Sequence, residues 1–330
     1  MKTGGRADQL ADRLADVLAP VLGPVAIEDL RALTGGASRI TWAFDAVTGP
    51  HQHRPLILRT GPLEELYASM ELEAQAQRAA GRAGAPVPNV LIADNSPAAL
   101  GNPYLICDLI EGETVVRRIE RQLDAAGREQ LLGQCAQALG AIHRADPGGV
   151  ALSAEDQLSA CRAQLDALPD TTAAFEWALR RLAADRPTPV PDQLVHGDFR
   201  MGNLMVSAEG DLAAVLDWEL VHLGDGLEDL AWFCLRAWRF GAPLERAAGG
   251  LGGIDAFLAA YEQASGDRAV DPDRFDWWLL LGTLRWGIIC RYQAQRHLSG
   301  QTRSVELATI GRRVSESEWD VLRLLDGVRP

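Results

Sequence analysis

The stretch from Leu194 to Asp229 constrains this chain most, because three polar side chains in it stand directly beside short apolar runs. One apolar run ends just ahead of Asp198, a second follows Asn203, and a third leads into Asp217. Apolar runs of this length predict short buried strands. A carboxylate or amide at the end of a buried strand is held rigidly and still opens toward solvent. The pattern therefore indicates a polar, metal-dependent site.

The order of apolar periodicities predicts an α+β fold in two parts, with the strands concentrated in the first part. The expected strands are residues 27–33, 39–46, 55–59, 89–93 and 103–109, and the expected helices are residues 8–18, 63–84, 124–144, 154–168, 172–184, 227–238, 254–263, 273–298 and 302–325. A chain of 330 residues is long enough for two lobes with a cleft between them.

The net charge of -13 makes nucleic acid and an anionic membrane surface poor partners for this chain. Either partner would need a basic stripe whose side chains replace the counterions of the phosphates. A single phosphate site is local and is still compatible with an acidic chain. We therefore expect small-molecule partners, no nucleic acid and no membrane.

The five cysteines are spread along the chain without a C-x-x-C pair, which argues against a zinc site and a disulfide framework. The N-terminal residues carry acids among their leucines, so they match neither a signal peptide nor a membrane span. We expect a cytoplasmic protein whose cysteines are reduced core residues.

Two features of the first part suit a phosphate. Gly35 and Gly36, followed by Ala37 and Ser38, form a turn whose backbone N–H groups can approach a phosphate. Arg59 ends a predicted strand, and its planar guanidinium can bridge phosphate oxygens. Taken alone, the first is as well explained by a plain hairpin turn and the second by a solvated strand end.

Asp198 and Asn203 stand five positions apart in the run His-Gly-Asp-Phe-Arg-Met-Gly-Asn. The catalytic loop of protein kinases, H-R-D-x-x-x-x-N, has the same spacing, and there the aspartate accepts the proton of the substrate hydroxyl while the asparagine holds a magnesium ion. Phosphoryl transfer also needs a metal on the nucleotide phosphates and cations or backbone donors around them. The chain has a candidate for each of these parts.

With these motifs the sequence resembles the aminoglycoside phosphotransferase family, also called the choline-kinase-like family. It is most similar to the subgroup of kinase-like domains that are associated with acyl-CoA dehydrogenases. The resemblance rests on H-G-D-x-x-x-x-N from His196, D-W-E from Asp217 and G-D-x-x-x-D-L-A-W from Gly224, together with the Gly-Gly-Ala-Ser turn. It extends over nearly the whole chain.

The resemblance implies a protein-kinase-like fold, in which residues 1–108 form a small antiparallel-sheet lobe that binds nucleotide and residues 109–330 form a larger catalytic and substrate-binding helical lobe. It also implies ATP and Mg2+ as cofactors. The site residues that it implies are Asp198 as catalytic base, Asn203 and Asp217 as magnesium ligands, Gly35, Gly36, Ala37 and Ser38 over the phosphates, Arg59 paired with Glu73, and the backbone from Cys107 to Leu109 at the adenine edge.

Three further residues of the polar stretch are expected to be structural. Asp225 and Asp229 would cap and anchor the helix that begins near Leu227. His196 would orient the catalytic loop through hydrogen bonds rather than titrate in the reaction.

Two departures from the family pattern bear on activity. Arg59 replaces the lysine of most relatives, which keeps the charge but changes the geometry, and Lys2 is the only lysine in the chain. The sequence has no A-P-E motif, and D-W-E stands where protein kinases have D-F-G. The segment behind Asp217 is too short for a peptide-docking activation loop, so we expect a small-molecule acceptor.

Residues 285 to 313 carry six arginines against one acid in an otherwise acidic chain, with tryptophans and a tyrosine close by. One interpretation is that the arginines are solvated helix faces and the aromatic residues are core. Our hypothesis is that Arg285, Trp286 and Arg291 bind an anionic acceptor, such as a hydroxyacyl group carried on coenzyme A. A polycationic aminoglycoside would prefer an acidic pocket, and a choline-like cation an aromatic box.

Other functions stay open on the sequence. An aminoglycoside- or choline-type phosphotransferase would carry the same catalytic motifs. A non-catalytic nucleotide-binding module would explain Arg59, although the intact Asp198, Asn203 and Asp217 argue against it. A metal hydrolase would use the same carboxylates on water, but the sequence lacks histidines at metal-ligand spacing.

Overall fold

The computed structural model describes residues 4–33, 39–62, 68–266 and 269–329, with side chains from residue 8 onward. The predicted phosphate-covering turn at Gly35, Gly36, Ala37 and Ser38 lies outside the described residues. Along the described chain a small α+β part leads into a larger helical part, as the periodicity predicted.

The first part is built around a single antiparallel sheet. Its elements are α1 (Gly4–Leu22), β1 (Ala26–Leu33), β2 (Ile40–Gly49), β3 (Gln52–Thr60), α2 (Met70–Arg82), β4 (Val90–Asp94) and β5 (Tyr104–Asp108). The strands lie in the order β1-β2-β3-β5-β4, and each neighbouring pair is antiparallel. The strand that leads into the helical part, β5, is therefore flanked on both edges.

The two faces of the sheet are covered by different helices because side chains alternate along each strand. Phe44 and Leu56 point to one face, where they form a core with Leu14 and Leu18 of α1. The other face holds α2, whose Met70 packs in a second cluster with residues of β4 and β5. Both sides of the small lobe are thus closed by helices.

The second part is mainly helical. Its elements are α3 (Val116–Gln122), α4 (Ala125–Arg144), α5 (Gln157–Asp166), α6 (Ala173–Ala184), β6 (Gln193–Val195), β7 (Leu204–Val206), β8 (Leu212–Val215), β9 (His222–Gly224), α7 (Leu227–Phe233), α8 (Ile254–Ala264), α9 (Pro272–Leu298), α10 (Val305–Gly311) and α11 (Val314–Leu325). β6 pairs with β9 and β7 with β8, both antiparallel. β6, β7 and β8 are the short strands predicted beside the polar residues, whereas β9 was not predicted.

Helix α9 lies between the two apolar cores of the second part. Phe275 and Leu279 belong to the core shared with α4 and α7, whereas Leu281 and Ile288 belong to the core shared with α5, α6 and α11. At 27 residues α9 is the longest of the described helices. None of the helices in the described ranges has both the length and the apolar character that a membrane crossing requires.

The helix predicted over residues 63–84 begins at Met70 in the structure, and residues 63–67 lie outside the described ranges. Ser69 sets this start, because its hydroxyl accepts a hydrogen bond from the N–H of Leu72. Glu71 and Glu73 therefore stand in the first turn rather than near the middle. Carboxylates there interact favourably with the helix dipole.

Other helix boundaries also differ from those predicted. α1 continues past Pro20, which removes one helical hydrogen bond in the last turn, and ends two residues later at Leu22. α7 ends at Phe233, and a short 3-10 turn follows. The helix predicted over residues 302–325 is two helices, α10 and α11, and the first ends at Gly311, where the backbone lies against Ala294 of α9.

We predict that alanine has opposite effects at two helical glycines. A Cβ built on Gly287 of α9 would lie 2.4 Å from the Phe175 ring, whereas one on Gly133 of α4 has no atom within 4 Å. Gly287→Ala should therefore destabilise the fold by about 1–3 kcal/mol through overpacking, and Gly133→Ala should stabilise it by up to about 1 kcal/mol through helix propensity. Urea unfolding measures both, and equal effects would contradict the packing of α6 on α9.

Candidate active site

A buried carboxylate on α7 fixes the loop that holds the predicted catalytic residues. Asp229 has no exposed surface, and it accepts hydrogen bonds from the N–H groups of His196 at 2.8 Å and Gly197 at 2.9 Å, and from Nε2 of His143 at 3.2 Å. Burial alone would raise the pKa of Asp229, but these donors hold its pKa below the ordinary value. Asp229 therefore anchors the loop as a charged group.

The loop turns sharply at Gly197, where φ is +81°. A Cβ at this position would lie 2.5 Å from the carbonyl oxygen of Leu220, so a larger residue would be strained and would also clash. The glycine of the H-G-D motif is thus required by backbone geometry. It directs the chain from β6 toward Asp198.

The ring of His196 has a defined orientation. Its Nε2 lies 3.0 Å from the carbonyl oxygen of Leu216, and its Nδ1 accepts a hydrogen bond from the N–H of Asp198 at 3.2 Å. These partners assign the neutral tautomer with the proton on Nε2. The ring thus ties the Asp198 loop to the end of β8, which is the orienting contact that we expected of it.

The carboxylate of Asp198 is held by three side chains. Trp232 Nε1 donates to Oδ1 at 2.8 Å, and Asn203 Nδ2 donates to Oδ2 at 2.7 Å. Arg200 Nε lies 3.1 Å from both oxygens. The side chain of Asp198 is 17% exposed, so the carboxylate is oriented from within the protein and is still accessible to solvent.

Asn203 and Asp217 lie at neighbouring strand ends, as predicted. The N–H of Leu216 donates to the carbonyl of Asn203 at 2.8 Å, which joins the two loops. Asp217 has φ +63°, a left-handed conformation that turns its carboxylate out of the line of β8. The amide nitrogen of Asn203 donates both of its hydrogen bonds to Asp198, and the amide oxygen is the atom that a cation would bind.

The donor set of these two residues fits magnesium. Mg2+ prefers oxygen ligands, keeps several waters and usually takes one or two protein groups together with substrate phosphates. Asn203 and Asp217 supply one amide and one carboxylate oxygen of this kind. Within the described ranges no cluster of three or more His, Cys, Asp and Glu side chains could hold a metal ion, so the pair would depend on a nucleotide for further ligands.

Arg59 links the sheet to both acidic residues of the predicted nucleotide site. Its Nη1 lies 3.3 Å from Glu73 Oε2 on α2, and its Nη2 donates to Asp217 Oδ1 at 2.8 Å. Lysine, with a single nitrogen, could not fork between two carboxylates in this way. The exchange of lysine for arginine is therefore matched by the geometry around it.

Glu73 carries a second arginine that the sequence did not single out. Arg39, at the start of β2, forms an ion pair with Glu73 Oε1, and its Nε lies 3.6 Å from Glu219. Burial raises the pKa of Glu73 to about 7, while the two arginines act in the opposite direction. Arg39, the residue ahead of β2, thus connects this end of the strand to α2 and to the D-W-E segment.

Hydrogen bonds within the first part of the chain reduce the number of backbone donors from Cys107 to Leu109 that could contact adenine as predicted. The N–H of Asp108 donates to the carbonyl of Asn89 and that of Leu109 to the carbonyl of Pro55, both at 3.0 Å. Because these two donors are engaged within the sheet, an adenine edge would need a backbone donor beyond Leu109. The contact stays a prediction.

The three residues predicted to bind the acceptor are not brought together. Trp286 packs on Trp238, with ring centroids 4.7 Å apart, and Trp238 lies under the guanidinium of Arg200 beside Asp198. Arg291 instead forms an ion pair with Asp170, ahead of α6. Trp286 is thus joined to the catalytic side by aromatic contacts, whereas Arg291 is engaged elsewhere.

Arg285 lies over a buried acid and a tryptophan. Its Nη1 donates to Glu228 Oε1 at 2.7 Å, and its guanidinium carbon is 5.2 Å from the centroid of the Trp232 ring. The other oxygen of Glu228 lies 3.0 Å from His222 Nε2, and His222 Nδ1 faces the carbonyl of Leu220 at 2.8 Å. Burial would lower the pKa of His222, but Glu228 raises it above the ordinary value.

Sequence reasoning missed Trp232, Arg39 and Arg200 as members of the site. Arg200 carried a signal, because it lies two positions after Asp198 inside the H-G-D-x-x-x-x-N motif. Arg39 follows the glycine-rich turn, and Trp232 ends the D-L-A-W motif. The contacts of Arg39 with Glu73 and of Trp232 with Asp198 could not be read from the sequence, because each joins residues far apart in the chain.

The sequence model of the phosphotransferase enzyme family matches residues 29–278 of this chain. Acyl-CoA dehydrogenase family member 10 from Mus musculus is 28% identical over an alignment of 291 residues that covers 81% of this chain and 27% of that protein. The chain spans about a quarter of the length of the curated relatives it matches.

Solved structures share the fold. A protein from Ralstonia eutropha that is assigned to the aminoglycoside phosphotransferases has a TM-score of 0.78 at 20% identity, over 97% of this chain and 99% of that chain. A thermostable variant of APH(4)-Ia in complex with AMP-PNP and hygromycin B has a TM-score of 0.62 at 19% identity, over 95% of this chain and 99% of that chain. The predicted two-lobe, protein-kinase-like fold is confirmed.

The contact between His222 and Glu228 predicts a pH-dependent stability. A folded-state pKa above the ordinary 6.5 means that the stabilisation is complete below the unfolded pKa and is lost as pH rises through the folded pKa. His222→Gln should therefore cost about 1.5–3 kcal/mol at acidic pH and progressively less at alkaline pH. Thermal unfolding from pH 5.5 to 9 tests this, with the exposed His53→Gln as control. A cost that grows with pH would contradict the contact.

Proposed function

Since the chain belongs to the phosphotransferase enzyme family, we propose that it transfers the γ-phosphoryl group of ATP to a hydroxyl group of a small-molecule acceptor. The class of enzyme, a phosphotransferase with an alcohol group as acceptor, follows from the family. The identities of the base, the metal and the acceptor are our proposal.

The observation that carries the proposal is the geometry around Asp198. Its carboxylate is fixed by donors on both oxygens and stands beside Asn203, which lies next to the loop of Asp217. In kinase-type transfer one carboxylate faces the acceptor hydroxyl while an asparagine and an aspartate hold the metal on the phosphates. The three side chains here have the residue types and the relative placement for these roles.

In the proposed reaction Asp198 accepts the proton of the acceptor hydroxyl as its oxygen forms a bond to the γ-phosphorus. The bond from that phosphorus to the β,γ-bridging oxygen breaks, and ADP leaves with the electron pair. Mg2+, when held by Asn203 and Asp217, would neutralise charge on the phosphate oxygens. Arg59 would bind the phosphates, and Glu73, which lies 3.3 Å from its Nη1, would orient it from the side of α2.

We propose that the acceptor is anionic, and a hydroxyacyl group carried on coenzyme A is our leading candidate. Arg200 places a guanidinium on Asp198 itself, and Arg313 lies at 5.5 Å over the Trp286 ring, which packs on Trp238 beneath Arg200. Carboxylates pair with Arg285, Arg291 and Arg313, which makes the patch less basic than its sequence suggests. The names of curated relatives, which are acyl-CoA dehydrogenase family members, support an acyl-CoA substrate.

We also propose that the enzyme works in the cytoplasm. All five cysteines are free and buried, which suits a reducing compartment. Burial raises the pKa of Cys107 to about 12, so its thiol stays protonated and unreactive beside the predicted nucleotide site.

Removal of the base tests the proposed mechanism. Asp198→Ala should lower acceptor-dependent ADP release, measured with ATP and Mg2+, by about 10^2–10^4-fold, the usual contribution of general base catalysis. Glu209→Ala, which removes an exposed carboxylate from the turn between β7 and β8, is the control and should retain the wild-type rate. Equal background release by wild type and Asp198→Ala would instead support a non-catalytic nucleotide-binding module.

A panel of acceptors tests the proposed substrate class. We expect ADP release with hydroxyacyl-CoA thioesters and none above background with choline or kanamycin, because neither cation matches the arginines around Asp198. Mass spectrometry of the thioester should show the added phosphoryl group. Turnover of kanamycin-type compounds without turnover of any hydroxyacyl thioester would overturn the anionic acceptor and leave the phosphotransferase activity in place.

A further inference from the structure

The indole of Trp232 makes a contact that phosphoryl transfer does not explain by itself. The ring is 3% exposed, and its Nε1 donates to Asp198 Oδ1 at 2.8 Å. An indole nitrogen can only donate a hydrogen bond. Together with the Asn203 amide on Oδ2, this donor defines the plane of the carboxylate.

The Trp232 ring is held in place on two sides. The guanidinium of Arg285 lies 5.2 Å from its centroid, within the range of a cation–π contact. Glu228, which is 6% exposed, fixes Arg285 through an ion pair of 2.7 Å. Trp238 packs against Trp232 with ring centroids 5.5 Å apart. The indole therefore has little freedom to move away from Asp198.

The same helix carries the anchor of the catalytic loop. Asp229 and Trp232 are three positions apart on α7, so they project from one face of the helix. Asp229 holds the backbone of His196 and Gly197, and Trp232 holds the side chain of Asp198. One rigid element thus determines both the position of the loop and the orientation of the carboxylate.

We propose that Trp232 is a positioning residue for Asp198. In this proposal Arg285 and Glu228 hold the indole of Trp232 in place and do not bind the acceptor. The role in catalysis rests on the proposed function of Asp198 as base, whereas the contact itself does not. For Arg285 this assignment replaces the acceptor-binding role that its sequence position suggested. Loss of the indole N–H should leave the site folded and able to bind ATP, but with a carboxylate that samples unproductive orientations.

Trp238 provides a matched control. It is buried in the same aromatic cluster, but among the described residues its Nε1 has no hydrogen-bond partner. Trp→Phe removes an N–H and part of an indole at either position. Only at residue 232 does it remove a contact with Asp198, so a difference between the two variants reports that contact.

The first experiment needs no substrate. In protein labelled with 15N at tryptophan, Asp198→Ala should shift the indole N–H resonance of Trp232, which Trp232→Phe identifies by its loss. The resonance identified by Trp238→Phe should move much less. An unchanged Trp232 resonance in Asp198→Ala would overturn the contact, whether or not the protein is a kinase.

The second experiment measures ADP release with ATP, Mg2+ and a hydroxyacyl-CoA thioester. Trp232→Phe should lower kcat about 10–100-fold, the scale expected for a misplaced reacting group, with KM for ATP close to wild type. The urea unfolding midpoint should fall in both tryptophan variants, because each loses buried indole atoms. Trp238→Phe leaves the Trp232 N–H on Asp198 in place and should therefore lower kcat much less than Trp232→Phe does. Equal losses in the two variants, or a rise in KM with unchanged kcat, would refute the positioning role.

Arg285→Gln separates support of the indole from acceptor binding. We expect a fall in kcat and a shift of the Trp232 indole resonance, with the KM for the thioester unchanged. A raised KM for the thioester with an unshifted resonance would return Arg285 to the acceptor site. If wild type releases no ADP with any acceptor, the proposed function fails, and the indole resonances still decide whether Trp232 and Arg285 interact as proposed.

Discussion

The hydrogen bonds of the Asp229 carboxylate determine the position of nearly every other group in the site. A charged carboxylate without exposed surface is costly unless donors surround it. Here the donors are two successive backbone N–H groups and a histidine, so the same bonds that stabilise the charge also fix the loop. The Gly197 turn follows from that constraint, because the backbone passes directly against Leu220. The orientation of the catalytic loop thus depends on α7 more than on the short strand that precedes it.

A second constraint is the pairing of charges between α2 and the D-W-E segment. Glu73 is fully buried and is served by Arg59 and Arg39, while Arg59 also reaches Asp217. This explains why arginine replaces lysine at residue 59. The forked guanidinium gives two carboxylates on different elements one common partner. The pairing therefore needs no lysine, and the only lysine of this chain is Lys2.

The parts that the sequence predicted well are those with a local cause. Apolar runs beside Asp198, Asn203 and Asp217 form β6, β7 and β8, and the five strands of the sheet lie where short apolar segments predicted them. The predictions were wrong where a helix cap or a contact between distant residues determines the structure. Ser69 moves the start of α2, and three of the six arginines of residues 285–313, namely Arg285, Arg291 and Arg313, pair with acids outside that segment. Arg285 pairs with Glu228 and Arg291 with Asp170, so a count within one segment overestimated the positive charge. The hydrogen bond between Trp232 and Asp198 likewise depends on tertiary structure, which no spacing encodes.

Under the proposed function, the ion pair between Arg59 and Asp217 makes nucleotide binding an exchange of counter-ions. In the described structure each group already neutralises the other at 2.8 Å, so a bound metal would take over Asp217 while phosphate takes over Arg59. Binding therefore adds fewer opposite-charge pairs than the number of ligand charges suggests, because the pair between Arg59 and Asp217 is lost. The electrostatic free energy of binding is therefore the difference between two states, and Arg59 and Asp217 are neutralised in both of them. The cleft also avoids leaving a bare carboxylate or guanidinium when it is empty.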